Sequence, residues 1–324
     1  MARAFVAKVN GDLAERLEEA LEWLDWKAIV KSDSRVFIKP NFTYPSYKEG
    51  VTTSPSLIEA LVRVVKTRCS NIAIGETDGG YHAWKAEEAF LAHGLYALQD
   101  KYGVEVVNLY DSPREYVEVS SQGKKFAIPL PRRLTHETDV FISLPVLKVH
   151  SMTQFTFGLK NQWGCILDPF RMRFHHIFMD AVLEINRRIG PKILVSDPFF
   201  ALTDSGPMEG RAFPLDTIIA STDVYAFERV GCEILGVDVQ GVEYLAHAER
   251  LGRIPSLASI EMNGPIELFR THQYNLVRTG KDKLVRKVFG SQVLTYVLYH
   301  SEFGQFIHKI FYSLTGKKRM RSQI

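Results

Sequence analysis

The sequence predicts an α/β fold in which a mostly parallel sheet is flanked by helices and followed by a helical C-terminal extension. Over the first 260 or so residues, short apolar runs alternate with segments whose apolar residues recur at helical spacing, as in strand–helix–strand chains. Beyond Ser256 only helical patterns remain. Several apolar runs are followed directly by Lys, Asn, His or Asp, as at the carboxyl edge of an open sheet. We therefore predict an α/β domain over residues 1–260 and a basic amphipathic extension over 261–324.

Each element of that fold has a local pattern. A first helix is predicted where Leu13, Leu17, Leu21 and Leu24 recur, and a second begins at Ser54-Pro55, with Ser as N-cap and Pro in the first turn. Buried strands are predicted at Val36–Ile38, Ile72–Ile74, Val104–Leu109, Val140–Leu144, Ile193–Val195 and Ile218–Ala220. A hairpin is predicted from Tyr116 to Ile128 and helices at Val224–Leu235 and Val242–Leu251.

The segment from Phe199 to Phe213 is rich in Gly, Pro, Asp and Ser and is predicted to be a loop. It carries Asp204, Glu209 and Gly206-Pro207. Long loops in compact domains are commonly functional, so we expect this one to be a lid or a wall of the site.

Composition excludes several classes of protein. The chain has 324 residues, of which 46% are hydrophobic and 24% charged, and can bury a large core. Its three cysteines are far apart with no C-x-x-C pair, so we expect neither a disulfide framework nor an iron–sulfur cluster from its own cysteines. The N-terminus lacks a signal-peptide core, and no apolar run reaches the roughly 18 residues that span a bilayer. A cytoplasmic location is expected.

Three lysine-bearing turns are the strongest functional signal. Lys39 and Asn41 follow the strand Val36–Ile38, Lys148 and His150 follow Val140–Leu144, and Lys160 and Asn161 lie between glycines. Strand ends place such side chains at one edge of the sheet. Lys39, Lys148 and Lys160 would then clamp a phosphate or carboxylate, with Asn41 and Asn161 as further binding residues. The alternative for each turn is ordinary: a lysine in solvent, or a helix end capped by glycine.

Candidate catalytic residues are Lys148, His150 and His175. A lysine and a histidine two residues apart can bind an anion and move a proton; the alternative is a histidine satisfied by the backbone. His175 belongs to a dense cluster with Arg171, Arg173 and His176. Adjacent residues on a helix face different ways, so we expect only one histidine of the pair at the site and favour His175.

Carboxylates at strand ends suggest a metal ion. Glu76 and Asp78 follow the strand Ile72–Ile74, Asp197 follows Ile193–Val195, and Glu209 lies in the glycine-rich segment. Such oxygens suit magnesium or manganese, which also bridge to phosphate. The alternative is that Asp78, like Asp223, caps a helix.

Taken together, these motifs resemble the domain of unknown function 362 proteins of bacteria and archaea. The resemblance covers about Val36 to Arg253 and includes Ile38-Lys39-Pro40-Asn41, Ile74-Gly75-Glu76-Thr77-Asp78-Gly79-Gly80, Leu147-Lys148-Val149-His150 and Gly158-Leu159-Lys160-Asn161. It implies a fold and a site but no settled activity. Some members carry ferredoxin-like cysteine clusters, which this chain cannot build from its scattered cysteines. The first half has a fainter similarity to the nickel-pincer lactate racemases, without a basis for carrying over their cofactor.

These observations favour an enzyme that acts on a phosphate- or carboxylate-bearing small molecule, with the reaction type and any metal ion left open. The alternative is a non-catalytic ligand-binding or accessory protein that uses the same cleft. An experiment can distinguish the enzyme from the binding protein, because a binding protein retains a ligand without forming product.

The C-terminal extension raises a separate question of partners. From Pro265 onward, eleven Lys and Arg residues face three Asp and Glu, although the whole chain is only +3. Its apolar stripes are Val293, Leu294, Val297 and Leu298, and Phe306, Ile307, Ile310 and Phe311. We predict that a helix from Lys281 to Tyr299 docks on the protein and that the chain from Phe303 onward faces the inner surface of a membrane or a partner, such as a second copy. Nucleic acid is disfavoured, because the charges alternate with aliphatic rather than stacking aromatic residues.

Overall fold

The computed structural model describes residues 1–302 and 304. Its strands are β1 (Ala2–Lys8), β2 (Val36–Pro40), β3 (Ile72–Glu76), β4 (Glu105–Asn108), β5 (Arg114–Ser121), β6 (Lys124–Pro131), β7 (Val140–Leu144), β8 (Lys148–His150), β9 (Gln154–Thr156), β10 (Ile193–Val195), β11 (Phe200–Thr203), β12 (Arg211–Pro214), β13 (Thr217–Ser221) and β14 (Ile260–Met262). Its α-helices are α1 (Leu13–Trp23), α2 (Trp26–Ile29), α3 (Pro55–Lys66), α4 (Ala86–Ala92), α5 (Leu95–Tyr102), α6 (Arg132–Thr135), α7 (Gly158–Asn161), α8 (Phe178–Ile189), α9 (Val224–Leu235), α10 (Glu243–Arg250), α11 (Gly280–Gly290) and α12 (Gln292–His300).

The main sheet has eight strands in the order β14-β1-β13-β10-β7-β2-β3-β4. All of them run in one direction except β13, which is antiparallel to both of its neighbours. The central strands β2, β3 and β7 are buried along their whole length, as expected of a parallel sheet covered on both faces. The predicted fold class is therefore confirmed.

Alternating side chains divide the core into two layers. Phe37 and Phe141, on β2 and β7, face the layer of α8, α9 and α10, and their ring centroids are 6.3 Å apart. Ile38 and Ile142 face the opposite layer with α1, α3 and α5. Because both faces are apolar, polar side chains of these strands are confined to the strand ends.

Most predicted elements are found, and the main differences concern β1 and the segment Phe199–Phe213. No strand was predicted at Ala2–Lys8, yet β1 pairs with β13 and β14. The prediction of a continuous loop over Phe199–Phe213 is wrong, because β11 and β12 form a hairpin there. The Gly, Pro, Asp and Ser residues that led to the loop prediction belong mainly to the turn of this hairpin. In that turn Asp204 and Gly210 have positive φ angles of 73° and 131°. This hairpin joins β8 and β9 in a second sheet with the order β12-β11-β8-β9.

The extension begins with two helices instead of the one predicted over Lys281–Tyr299. Ser291 separates α11 from α12 and accepts a hydrogen bond from the Leu294 backbone N–H as N-cap. Both helices pack on the 3₁₀ turn Arg171–Ile177. The expectations for Phe303 onward, including the stripe Phe306, Ile307, Ile310 and Phe311, lie outside the described residues. The division into an α/β domain up to residue 260 and an extension from residue 261 stays a prediction. The strand β14, Ile260–Met262, spans that boundary.

Within the described residues, no helix is both long and apolar enough to cross a bilayer.

Candidate functional site

A cavity of about 190 Å³ opens at the carboxyl edge of the main sheet, where β2 and β3 end. Eight of the eleven predicted site residues line it: Lys39, Asn41, Glu76, Asp78, Lys148, His150, Lys160 and Asn161. Other lining residues include Phe42, Thr43, Trp84, Trp163, Arg171 and Pro207. Pro207 comes from the turn between β11 and β12, so that hairpin contributes to the wall.

Lys39 and Glu76 form a buried ion pair between neighbouring strands. Lys39 is the penultimate residue of β2 and Glu76 is the last residue of β3, and Lys39 Nζ lies 2.5 Å from Glu76 Oε2. Their side chains are only 1% and 8% exposed. The backbone N–H of Thr77 also donates to Glu76 Oε1 at 2.9 Å. Lys39 therefore brings no uncompensated charge to the cavity.

Lys148 ties β8 to the loop that follows β2. Its Nζ donates to the Val51 carbonyl at 2.6 Å, to Thr43 Oγ1 at 3.1 Å and to Asn41 Oδ1 at 3.2 Å. These three oxygens account for the three protons of an ammonium group. Burial, with the charge of Lys39 nearby, nevertheless lowers the Lys148 pKa to about 7. Lys148 thus changes charge near neutral pH while anchoring Asn41.

Lys160 differs from the other two lysines. The side chain is buried, and its Nζ has no hydrogen-bond acceptor or carboxylate partner among residues 1–302 and 304. Its Nζ lies 5.8 Å from the centroid of the Phe178 ring. Burial and the nearby Lys148 lower the Lys160 pKa well below its usual value. This amine therefore faces the cavity without a protein partner.

A buried polar network fixes the short helix α7 that carries Lys160. The Leu159 backbone N–H donates to Glu228 Oε2 at 2.9 Å, and Asn186 Nδ2 donates to the Leu159 carbonyl at 2.8 Å. Asn161 Nδ2 donates to Ser143 Oγ on β7 at 2.8 Å. A Cβ on Gly158 would lie 2.7 Å from the Phe227 ring, so only glycine fits at the start of this turn.

His150 presents a donor to its surroundings. Its Nδ1 accepts hydrogen bonds from the backbone N–H groups of Met152 at 3.1 Å and Thr153 at 3.4 Å. In the neutral imidazole the proton must then sit on Nε2. Burial and the neighbouring Lys160 lower the His150 pKa well below its usual value, so the ring is neutral at neutral pH. His150 is therefore suited to donate a hydrogen bond through Nε2.

Arg171 and Trp163 line the cavity although neither was predicted as a site residue. Arg171 is half-buried and donates to Thr77 Oγ1 at 3.0 Å and to the carbonyls of Gly164 at 2.8 Å and Asp78 at 2.6 Å. No carboxylate lies within ion-pair distance of it in the described part of the chain. Trp163 Nε1 is buried and has no hydrogen-bond acceptor there. The dense Arg–His cluster was the only sequence signal for Arg171, and it pointed to His175.

Three predicted site residues do not line the cavity. His175 is packed against the rings of Trp163 and Phe178, at centroid distances of 5.2 and 5.5 Å, and burial lowers its pKa to about 3. Asp197 accepts from the backbone N–H of Ser54 at 2.7 Å at the start of α3. Glu209 is 84% exposed and lies 3.8 Å from Lys48.

The structure accordingly does not bring Glu76, Asp78, Asp197 and Glu209 together. Glu76 is paired with Lys39, and Asp78 accepts from Lys85 Nζ at 2.8 Å, the Ala86 backbone at 3.0 Å and Asn108 Nδ2 at 3.0 Å. Asp78 therefore binds the first turn of α4 from a distance in sequence, whereas the N-cap residue of that helix is Lys85. Across residues 1–302 and 304, no group of three or more His, Cys, Asp and Glu side chains is arranged to hold a metal ion.

Comparison with known proteins places the chain in a family. The model of the domain of unknown function family DUF362 matches residues 36–233, more than half of the sequence. The chain belongs to the DUF362 family. Most of the cavity-lining residues lie within the matched segment, and the resemblance noted from the motifs is confirmed.

Two kinds of relative accompany this match. The thylakoid-associated protein sll1697 of Synechocystis sp. is 26% identical over 259 residues, which cover 77% of this chain and 78% of that protein. Among solved structures, a Thermotoga maritima protein has a TM-score of 0.45 at 14% identity, with 75% of this chain and 60% of that chain covered. The lactate racemase apoprotein of Thermoanaerobacterium thermosaccharolyticum has a TM-score of 0.46 at 11% identity, covering 72% and 57%. The chain thus spans less than two thirds of either structure, and likeness at this level says nothing about activity.

Proposed function

We propose that this DUF362 protein binds a small molecule through a phosphate or carboxylate group in the carboxyl-edge cavity and acts on it as an enzyme. The observation that carries the proposal is the difference between basic side chains that have a carboxylate partner and basic side chains that have none. Lys39 and Lys85 each have a carboxylate partner, whereas Lys148, Lys160 and Arg171 have none among the described residues. A buried basic group without a partner is costly to charge, so an anionic ligand that compensates the charge completes a site of this kind.

The size and the neutral donors of the cavity restrict the ligand further. About 190 Å³ is less than the roughly 300–1,000 Å³ usual for pockets of drug-sized ligands, so a small molecule or the anionic end of a larger one fits. The indole N–H of Trp163 and Nε2 of His150 offer hydrogen bonds to uncharged oxygens. The ligand that suits this lining carries an anionic group and, beside it, a carbonyl or hydroxyl oxygen.

Isothermal titration with inorganic phosphate and with small carboxylates tests the binding step. Lys160→Met removes the amine at similar volume, and we expect a loss of affinity of about tenfold or more, since charge-assisted hydrogen bonds contribute roughly 1.5–3 kcal/mol. Lys125→Met is the matched control, because Lys125 is 72% exposed on the hairpin β5–β6. Equal affinity of the wild type and Lys160→Met would contradict the proposal.

The second candidate is a protein that binds the same ligand without turning it over. It is favoured by one observation: both carboxylates of the cavity, Glu76 and Asp78, are engaged by protein donors, so neither is free as a general base. Incubating the protein with a small-molecule extract separates the two candidates by mass spectrometry. An enzyme depletes one compound and forms another in a Lys160-dependent way, whereas a binding protein only retains its ligand.

We also propose that the extension attaches the protein to an anionic membrane surface. Val293 is 71% and Leu294 45% exposed on α12, and Leu284 is 63% exposed on α11, in a part of the chain rich in Lys and Arg. A relative described as thylakoid-associated is compatible with such attachment. Exposed apolar side chains next to basic residues suit the interface of an anionic bilayer.

Co-sedimentation with anionic and with neutral vesicles tests this attachment. The full chain should pellet with anionic vesicles, and replacing Val293 and Leu294 by Ser should reduce the pelleted fraction. Leu91→Ser on α4 is the control, because Leu91 is 73% exposed but lies outside the extension. Equal pelleting of the two variants would remove the membrane proposal.

A further inference from the structure

We propose that Lys160 is a reactive amine that forms an imine with the carbonyl carbon of a small anionic aldehyde or ketone. The inference rests on the proposed anion-binding function and specifies the class of ligand. Its starting point is the contrast among the cavity lysines. Lys39 is held by Glu76, and Lys148 donates to three oxygens, so both amines are occupied by the protein. Lys160 alone of the three has no such partner among the described residues, and its nitrogen is available to a ligand.

The charges around Lys160 favour the neutral, nucleophilic amine. Lys148 and His150 on β8 and His175 on the Arg171–Ile177 turn face it, and none of them supplies negative charge. The carboxyl of Glu228 on α9, which supports α7, already accepts hydrogen bonds from the Leu159 N–H and from the Tyr244 hydroxyl, the latter at 2.6 Å. Desolvation of a lysine beside another cationic group is a recognised way of activating it as a nucleophile.

The neighbouring donors fit the oxygen of such a ligand. Trp163 follows Lys160 by three residues in consecutive helical turns, so the two side chains lie on the same side of the chain. Its indole N–H is buried without an acceptor, and both side chains border the ring of Phe178. Arg171 supplies a cation for the anionic end. A molecule that carries a carbonyl group next to a carboxylate or phosphate would satisfy all three.

The covalent step is balanced without a further reactant. The lone pair of Lys160 Nζ adds to the carbonyl carbon, and a proton passes from nitrogen to the former carbonyl oxygen to give a carbinolamine. The C–O bond then breaks, the oxygen leaves as water, and a carbon–nitrogen double bond remains. No oxidation or reduction occurs in this sequence.

Reductive trapping with glyoxylate tests the proposal. Glyoxylate has an aldehyde beside a carboxylate, and cyanoborohydride delivers hydride to the imine carbon, so the product is N-carboxymethyl-lysine, located by peptide mass spectrometry. At about pH 7, exposed lysines with pKa near 10.4 are almost wholly protonated, and we expect Lys160 to be labelled on the order of 100-fold faster than they are. Lys101 and Lys125, 62% and 72% exposed, are internal references.

Two comparisons make the outcome decisive. Inorganic phosphate should slow labelling of Lys160 but not of the reference lysines, and acetaldehyde, which lacks the anion, should show little preference for Lys160. Lys160→Arg supplies a guanidinium that can bind phosphate but does not form the imine, so this variant should bind phosphate while losing the fast adduct. Labelling of Lys160 at the rate of the reference lysines in the wild type would overturn the imine proposal, whereas intact phosphate binding in the same sample would leave the proposed function standing. If the wild type did not bind phosphate at all, that result would refute the proposed function itself.

Discussion

The two edges of the main sheet carry arginine and lysine residues in contrasting settings. At the carboxyl edge, Lys148 and Lys160 are buried and have no carboxylate partner in the described part of the chain. At the amino edge, where β2, β3, β4 and β7 begin, a groove is lined by Arg35, Glu105, Arg133 and Glu137. Arg35 pairs with Asp139 at 2.7 Å, and Arg133 pairs with Glu105, in side chains 27–56% exposed.

The comparison shows that burial and pairing, rather than the presence of charge, distinguish the candidate site. Exposed ion pairs contribute about 0–1 kcal/mol and need no ligand to be stable. Buried cations without a partner lower the stability of the fold unless something compensates them. Changing the side chains of one edge at a time tests whether this difference holds.

The largest effect is expected from breaking the buried pair of the carboxyl edge. Glu76→Gln leaves Lys39 buried without its carboxylate, which should lower the free energy of unfolding by about 3–5 kcal/mol in urea denaturation. Adding Lys39→Met to Glu76→Gln should recover most of that loss, because the double variant has no unpaired charge. A loss below about 1 kcal/mol for Glu76→Gln would place this pair in the same class as the exposed ones.

The sequence allowed the sheet and much of the cavity lining to be predicted, because apolar runs end directly before Lys39, Glu76 and the segment with Lys148. It could not show which charges are paired, since Lys39 and Glu76 are 37 residues apart and meet only through strand register. Short strands such as β8, with three residues, carry too little periodicity to be recognised.

The predictions about His175 and Asp197 show a second limit. The cluster of Arg and His indicated that a polar side chain of this turn reaches the site. Which side chain does so depends on the direction in which each residue points from the 3₁₀ turn. Arg171, and not His175, lines the cavity. Asp197 does follow a strand, yet its oxygen accepts from the Ser54 N–H, an interaction over 143 residues that no local pattern contains.

The next effect concerns Glu228, which supports the helix α7 of the carboxyl-edge site. Burial raises its pKa to about 7 from the usual 4.5, so the folded protein holds a proton that the unfolded chain releases. The stabilisation from this proton is complete below about pH 4.5 and is lost as pH rises to about 7, a change of roughly 3 kcal/mol. Glu228→Gln, which cannot titrate, should flatten this part of the stability profile measured in urea. An unchanged slope between pH 4.5 and 7 would show that Glu228 is already ionised in the folded protein.

A smaller effect links ligand binding to protons. Burial lowers the pKa of both Lys148 and Lys160, and a bound anion raises them again, so binding should take up about one proton near pH 8. Phosphate affinity should consequently fall as pH rises above neutrality. Calorimetric titration in two buffers of different ionisation enthalpy measures the uptake, and Lys160→Met should reduce it. Binding without proton uptake would mean that both lysines are charged before the ligand arrives.

The smallest effect is expected at the amino edge. Arg133→Ala breaks the pair with Glu105, but water can solvate the remaining carboxylate, which is 56% exposed, so the loss of stability should be about 0–1 kcal/mol. Raising the salt concentration should shrink even this difference, because ions screen exposed charges far more than buried ones. Phosphate affinity should not change, since Arg133 lies at the opposite end of the strands from Lys160. Urea denaturation at low and high salt measures the stability loss and its salt dependence, and phosphate titration of the same sample measures the affinity. A loss as large as that of Glu76→Gln, or a tenfold fall in phosphate affinity, would mean that the amino edge depends on its charges as the carboxyl edge does.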